Sequence, residues 1–221
     1  MKPILLFDFD STITNTEALD LLGEQLAANG RLTSFDVAQI KQITDQGMAG
    51  EIGFGVSLER RLQILKLHVA DLQALIGELH LRVSESIERN QAWFLSNADR
   101  IWIVSSGFKE FIAPVVQRFG IEPERILANE FVWDQRGIGH AAKASPLAHD
   151  HGKPNVVAAA NLPRPVWIIG DGYTDYEIKL HGAADKFLAF TENVRRPGVV
   201  DVADHVLLNL EELIELDRHA K

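Results

Sequence analysis

Two aspartates one residue apart, Asp8 and Asp10, close the apolar run "ILLF" that starts at Ile4. Two later segments repeat the pattern of an apolar run finished by polar side chains. "IWIV" (101–104) leads into Ser105, Ser106 and Gly107, and "VWII" (166–169) leads into "GDGYTD", which carries Asp171 and Asp175. If the three runs are neighbouring strands, four carboxylates and a hydroxyl meet outside the strand ends, where open α/β sheets bind their ligands. Crowded carboxylates resist ionisation unless a cation compensates them. An all-oxygen set suits Mg²⁺, which keeps some of its waters and typically takes one or two carboxylates together with a substrate phosphate. Two aspartates at one strand end can then divide the labour, one attacking phosphorus and the other handling the proton of the leaving group.

Each motif has a plainer reading when taken singly. "DFDST" can be a strand followed by an Asx or Ser/Thr turn and a helix cap, "GDGYTD" a turn built on glycines, "SSG" a helix start, and Lys153 in "HGKPN" a solvated lysine at a helix start. Their order and spacing along the chain argue for one shared site.

The hydrophobic pattern supplies the elements that must position these residues. "PILLF" (3–7), "IWIV" and "VWII" are short, apolar on successive residues and bounded by polar or glycine-containing turns, which predicts parallel strands buried on both faces. Apolar residues three and four apart predict a helix after each: "TEALDLLGEQLA" from Thr16, "FKEFIAPVVQRF" from Phe108 and "YTDYEIKLHGA" from Tyr173. Strands alternating with helices predict an α/β fold with a doubly wound, Rossmann-like parallel sheet. Residues 16–80 show only helical patterns, among them "SFDVAQIKQITDQGM" and "SLERRLQILKLHV", so a small helical cap is expected as an insert after the first strand. Residues 1–15 and 81–221 then form the catalytic core. "ILANEFVWDQRGIGHAA" predicts a hairpin beside the main sheet, turning between Asp134 and Gly137.

Bulk properties narrow the function. The chain has 221 residues, 46% of them hydrophobic, enough for one substantial core with a smaller insert. Its net charge of −9, with no Lys/Arg cluster to offset it, disfavours nucleic acid and anionic lipid as partners. Cysteine is absent, which excludes disulfides, thiolate nucleophiles and Cys-based zinc sites. The first apolar run meets an aspartate at position 8, too early for a signal peptide, and no run approaches a membrane span, so a cytoplasmic protein, monomer or homodimer, is expected.

The ordered set "DFDST" (8–12), "IVSSG" (103–107), Lys153 and "GDGYTD" (170–175) resembles the four motifs of the haloacid dehalogenase superfamily of phosphatases, over nearly the whole chain. Within it, "DFDSTIT" followed by Glu17, and "MAGEIGFGVSLERR" with Met48, Phe54 and Arg61, are most similar to the phosphoserine phosphatase family. The resemblance implies a Mg²⁺-dependent phosphomonoester hydrolase that releases serine and phosphate through an aspartyl phosphate. It implies Asp8 as nucleophile, Asp10 as proton donor to the serine oxygen and later as base, and Ser105 and Lys153 as holders of the phosphoryl oxygens. Mg²⁺ would be held by Asp8, Asp171 and the Asp10 carbonyl, with Asp175 completing or bracing the site. As acid, Asp10 must carry a proton well above the ~3.9 of a free aspartate.

Phosphoserine has an ammonium and a carboxylate besides its phosphate, which Glu17 and Arg61 could pair with, while Met48 and Phe54 cover the site. Taken alone, those four residues read as a first-turn acid, a solvated face and ordinary core. The sequence departs from the family at Ser106, where a second glycine is usual, at Thr174, where asparagine is usual, and in "RVSESIERN", which lacks a Pro-Gly loop. Ser106, Gly107 and Thr174 are nonetheless expected around the substrate. The alternatives are a phosphatase of another small metabolite and a phosphorylatable receiver-like domain. His140 with the "HDH" of residues 149–151 offers a weaker, separate metal site.

Overall fold

The computed structural model describes residues 2–48 and 51–219. Its strands are β1 (Ile4–Phe7), β2 (Ile101–Phe108), β3 (Ile126–Asn129), β4 (Phe131–Trp133), β5 (Gly139–Ala141), β6 (Val166–Gly170), β7 (Lys186–Phe190) and β8 (His205–Leu207). Its helices are α1 (Ala18–Ala28), α2 (Ser34–Met48), α3 (Phe54–Leu65), α4 (Leu72–Leu81), α5 (Glu85–Arg89), α6 (Gln91–Asn97), α7 (Lys109–Val116), α8 (Gly152–Ala159), α9 (Tyr173–Leu180), α10 (Pro197–Val200) and α11 (Leu210–Arg218).

Six strands form one parallel sheet in the order β3-β2-β1-β6-β7-β8. The uninterrupted apolar runs are explained by the two layers they serve. Leu5 and Phe7 pack into one cluster with α1, α4, α6, α7 and α11, whereas Leu6 packs into the other with Val157 of α8 and Ile178 of α9. From β1 the chain builds outward to β2 and β3, then returns to the other side of β1 for β6, β7 and β8. The order therefore reverses between β1 and β6, where Phe7 pairs with Ile169 on one side and with Ile103 on the other. A crevice for ligands opens at such a reversal, outside the carboxyl ends of the strands. The three polar strand ends singled out in the sequence are thus the three that border it.

The expected hairpin is present as β4 and β5, pairing Phe131 with Ala141 around a turn in which Gly137 takes φ 74°. The preceding "ILAN" is a separate strand that extends the main sheet beyond β2. β7 and β8 had no sequence-based expectation. The hairpin also touches the helical insert, since Gly139 donates its N–H to Leu67 and His68 bridges Ile138.

Helices α1 to α4 leave and rejoin the sheet through two adjacent segments. Thr14 bridges Val83, Asn15 donates to the Arg82 carbonyl at 2.8 Å, and Ser84 donates to the Ile13 carbonyl at 2.9 Å. The insert is not detached from the sheet. Leu22, Leu62, Leu75 and Leu79 are buried in the same apolar cluster as Phe7 and Ile103.

The far end of the sheet is tied by one buried ion pair. Arg100, just before β2, donates Nη1 to Asp217 Oδ1 at 2.9 Å and Nη2 to Oδ2 at 2.6 Å, and Nη1 also reaches the Pro3 carbonyl at 3.1 Å. This pins α11 against the start of β1. Removing one partner of a buried pair leaves the other charge unsolvated. Arg100→Ala is expected to lower unfolding free energy by about 3–5 kcal/mol, read from the denaturant midpoint; a loss under about 1 kcal/mol, the scale of an exposed pair, would contradict this.

Candidate active site

The site starts where β1 stops. Asp8 is extended (φ −68°, ψ 163°), and its Oδ1 accepts from the Phe9 N–H at 2.7 Å. The chain then coils through residues 9–13 and closes when Thr14 N donates to the Phe9 carbonyl at 3.0 Å. Within the coil Ser11 takes a left-handed φ of 54°, which turns the chain after Asp10 out of the strand direction and toward α1. Asp10 caps α1 as a result: its Oδ1 accepts from Ala18 N at 2.8 Å. The Ser11 hydroxyl donates to Glu17 Oε1 at 2.8 Å, which sets Glu17 beside Asp10.

β2 contributes Ser105 to Gly107. It continues to Phe108 instead of breaking at the serines, and its register against β3 shifts between Val104 and Phe108. The Gly107 N–H donates to Ser105 Oγ at 2.9 Å, and a Cβ at 107 would lie 3.1 Å from that oxygen.

Lys153 is the second residue of α8 and is buried. Its Nζ lies 2.9 Å from Asp8 Oδ1 and 2.8 Å from Asp175 Oδ1. The other oxygen of Asp175 accepts from the Gly172 N–H at 3.1 Å. Only glycine permits that fold-back, because a Cβ on Gly170 would come within 2.2 Å of Asp175 Oδ2. Asp175 is thus fully committed. Asp171 is not: its Oδ2 is buried and accepts no hydrogen bond, although Arg196 Nη1 stands 3.0 Å away without being aligned to donate.

Asp8, Asp171 and Asp175 offer oxygens within 4.8 Å of one another. Burial is the main reason that Asp10 and Asp171 hold their protons well above the usual carboxylate range; Glu17 and Asp8 push Asp10 further in the same direction. Burial and the Asp8 charge raise Asp175 to about 7. The Lys153 pKa is also raised, which for an amine favours the charged form: burial opposes that charge, but Asp175 and Asp8 more than offset it. A cluster of oxygens with one buried oxygen unsatisfied fits a hard divalent cation such as Mg²⁺. Asp8 and Asp171 are the side chains free to hold it, since Asp10 serves α1 and Asp175 serves Lys153 and Gly172.

The helical insert closes the site from the other side. Glu17, Phe54 and Arg61 line a pocket of about 50 Å³ together with Asp8, Asp10, Ser105, Ser106, Gly107, Lys153 and Thr174. Arg61 is buried, and its contacts are long: Nε to the Ser57 carbonyl and Nη1 to Thr44 Oγ1, each at 3.4 Å. It forms no ion pair among the described residues, and burial lowers its pKa while Glu17, Asp20 and Asp10 oppose that. The side chain of Met48 lies outside the described residues. Ser106, Lys153 and Thr174 also border a wider cavity of about 760 Å³ that includes Tyr173 and Arg196.

Sequence reasoning missed Asp20, Arg196 and Asn193. The last two lie in the loop after β7, where Asn193 Nδ2 donates to the Ser11 carbonyl at 3.0 Å and to Ser84 Oγ at 2.7 Å. A signal was available, because "FLAF" (187–190) is a fourth apolar run finished by polar residues.

Comparisons with known proteins bear on the family and the fold. The family described as "haloacid dehalogenase-like hydrolase" matches residues 5–178. The chloroplastic phosphoserine phosphatase of Arabidopsis thaliana is 28% identical over 94% of this chain and 69% of its own length. A phosphoserine phosphohydrolase-like protein from Francisella tularensis superposes with a TM-score of 0.85 at 29% identity, over 98% of this chain and 99% of that one. A structure described as the phospho-aspartyl intermediate analogue of phosphoserine phosphatase has the same fold, with a TM-score of 0.77 at 21% identity, over 97% and 98% of the two chains. No helix among the described residues is long and apolar enough to cross a membrane.

Because the folded state raises the carboxyls of Asp171 and Asp175, their ionised forms oppose folding above their folded-state values. That penalty is relieved as pH falls toward the ordinary carboxylate range. A divalent cation acts in the opposite sense by binding the ionised cluster. The stabilisation by MgCl₂ in thermal melts is therefore expected to be largest above pH 7, where Asp175, at about 7, is ionised. It should fade toward pH ~5 as the cluster takes up protons, and reach about 2.7 kcal/mol at a hundredfold excess over the dissociation constant. Asp171→Asn should remove most of it. An equal shift at both pH values, or one that survives in Asp171→Asn, would refute the cation assignment.

Proposed function

Since this chain belongs to the haloacid dehalogenase-like hydrolase family, we propose that it is a phosphoserine phosphatase, releasing serine and phosphate through an aspartyl phosphate on Asp8. The observation that carries the reading is a single pocket that brings Asp8, Asp10, Ser105 and Lys153 together with Glu17 and with a buried Arg61 that has no ion pair among the described residues.

An oxygen of Asp8 attacks phosphorus as the bond from phosphorus to the serine oxygen breaks. Asp10 gives its proton to that oxygen; burial, with the Glu17 and Asp8 charges, raises its pKa well above the ordinary carboxylate value, and the Ala18 N–H fixes its position. Lys153 and Ser105 hold the phosphoryl oxygens, and the Lys153 ammonium offsets the charge that develops on them. Asp10, now ionised, takes a proton from a water that attacks the aspartyl phosphate, which frees phosphate and restores Asp8. Mg²⁺, held by Asp8, Asp171 and the Asp10 carbonyl, would supply further charge stabilisation to the transferring group. Asp175 holds Lys153 in place.

Arg61 would grip the substrate carboxylate and Glu17 its ammonium, under a cover that includes Phe54. The ligand is a small phosphate ester, and the cytoplasm is the compartment proposed for it. One observation favours a second reading: the wide cavity beside the pocket, bordered by Ser106 and Thr174, has room for a larger phosphorylated metabolite. A receiver-like domain is set aside by membership of a hydrolase family.

Phosphate release with MgCl₂ present tests the proposal. Asp8→Asn should abolish turnover, and Asp10→Asn should lower it about 10²- to 10⁴-fold while leaving the fold intact; an Asp10→Asn rate within a factor of about two of the parent would remove Asp10 from the acid role. Arg61→Ala should cost kcat/KM for phosphoserine roughly 10- to 150-fold, the worth of a charge-assisted hydrogen bond of about 1.5–3 kcal/mol. A small aryl phosphate, which has no carboxylate, should be almost unaffected. Equal losses on both substrates would make Arg61 structural or phosphate-binding and withdraw phosphoserine as the substrate.

A further inference from the structure

The metal-ligating residues outside the acidic cluster group differently from the sequence expectation. His149 turns its Nε2 to the Lys143 carbonyl at 2.9 Å, and His140 pairs with Asp134 at 3.8 Å, so the histidines of the "HDH" segment and His140 do not share a site. His151 goes elsewhere. It takes a left-handed φ of 57° immediately before α8, and its Nδ1 lies 2.8 Å from Glu177 Oε1 on α9. One helical turn after Glu177 stands His181, whose N–H donates to the Glu177 carbonyl at 2.9 Å. The rings of His151 and His181 are 5.4 Å apart, and the donor atoms of all three residues lie within 4.8 Å of one another.

We infer that His151, Glu177 and His181 form a second metal site, selective for a divalent first-row transition ion such as Zn²⁺. Two imidazole nitrogens and one carboxylate oxygen are a donor set such ions favour, whereas Mg²⁺ prefers oxygen alone. Bonds of about 2.0–2.2 Å hold neighbouring donors roughly 3.3 Å apart, and small side-chain rotations bring the three residues to that spacing. A pairing of His151 with Glu177 requires only two of them; the third donor, one turn along the same helix face, is what makes a chelate. Glu177 is mostly buried, with 13% of its side chain exposed, which fixes the carboxylate, while the 59% exposure of the His151 side chain leaves a path from solvent.

The position gives the site consequence. His151 directly precedes the helix whose second residue is Lys153, and Glu177 lies two residues beyond Asp175. A metal here would staple α8 to α9 beside the ion pair of Lys153 with Asp175, at the wall of the wide cavity that His151 and Glu177 both line. Three protein donors leave a fourth position for water or for an anionic group held in that cavity.

Titration of the full chain with ZnCl₂ in saturating MgCl₂, followed by calorimetry, should give one equivalent of Zn²⁺ bound. With CuCl₂ in place of ZnCl₂, electron paramagnetic resonance should show coupling to imidazole nitrogen. His151→Asn, which keeps a residue tolerant of the left-handed backbone, and His181→Ala should each weaken uptake about tenfold or more and together abolish it. Asp171→Asn should leave it unchanged. The proposal is overturned by uptake weaker than about 1 mM, by uptake unaltered in the double histidine variant, or by uptake lost in Asp171→Asn, which would put the ion in the carboxylate cluster. None of these outcomes depends on which phosphate ester the protein hydrolyses.

Discussion

The ammonium of Lys153, held between Asp8 and Asp175, is the interaction on which the site depends. Two carboxylates, Asp8 at the end of β1 and Asp175 in the first turn of α9, meet in a buried space where both cannot ionise cheaply. A lysine already buried and 2.8–2.9 Å from each makes their joint presence tolerable. The arrangement reaches far into the fold. β1 must stop at Phe7 to release Asp8, β6 must end in a glycine so that Asp175 can fold back, and α8 must begin close enough to β1 to deliver Lys153. Lys153 neutralises only part of the cluster, and the unsatisfied oxygen of Asp171 is the remainder.

A second constraint is the crossing between the sheet and the helical insert. Ser84, fully buried, donates its hydroxyl to the Thr12 carbonyl at 2.6 Å and accepts from Asn193. Glu192 takes both the N–H and the hydroxyl of Ser86. The loop after β7 therefore clamps the outgoing and returning chains while Arg196, three residues beyond Asn193, faces Asp171. Backbone groups at the crossing are satisfied from a rigid strand end, which lets α1 to α4 be placed over the pocket without a long linker. That explains why the segment "RVSESIERN" works without glycine or proline at the return.

What could be read from the sequence follows from how local each signal is. β1, β2 and β6 were legible because strands buried on both faces are apolar on every residue, and the polar residues after them stood out against that background. The helical character of the insert was legible from its periodicity. β8 was not, since "HVL" is too short to separate from a loop. The role of the Asp10 side chain was only half legible. Asp8, Asp171 and Asp175 bring oxygens within 4.8 Å of one another, while Asp10 lines the pocket with Asp8 and spends Oδ1 on the Ala18 N–H, a capping role that the sequence did not signal. The pairing of His151 with Glu177 and His181 was hidden for a related reason: it joins a loop to a helix 26 residues later through the sheet's topology.

The two sides of the pocket are held with different stiffness, and this bears on how such a site can change its substrate. Asp8, Asp10, Ser105, Lys153 and Asp175 are bonded to backbone amides or to one another at 2.7–3.1 Å. They sit on strand ends and helix starts that packing on both faces of the sheet fixes. Arg61 sits on α3 with contacts of 3.4 Å and no ion pair among the described residues. Its guanidinium is buried at a cost that Glu17, Asp20 and Asp10 offset only in part, so an anionic ligand beside it would stabilise this side chain further. The groups proposed to handle phosphate are thus held before any ligand arrives, while the residue proposed to select the remainder of the ligand is held by two long contacts alone. If Arg61 selects the ester as proposed, a change of residue on α3 would alter which one is accepted without disturbing the ion pairs at the strand ends, because none of those pairs includes a residue of α3.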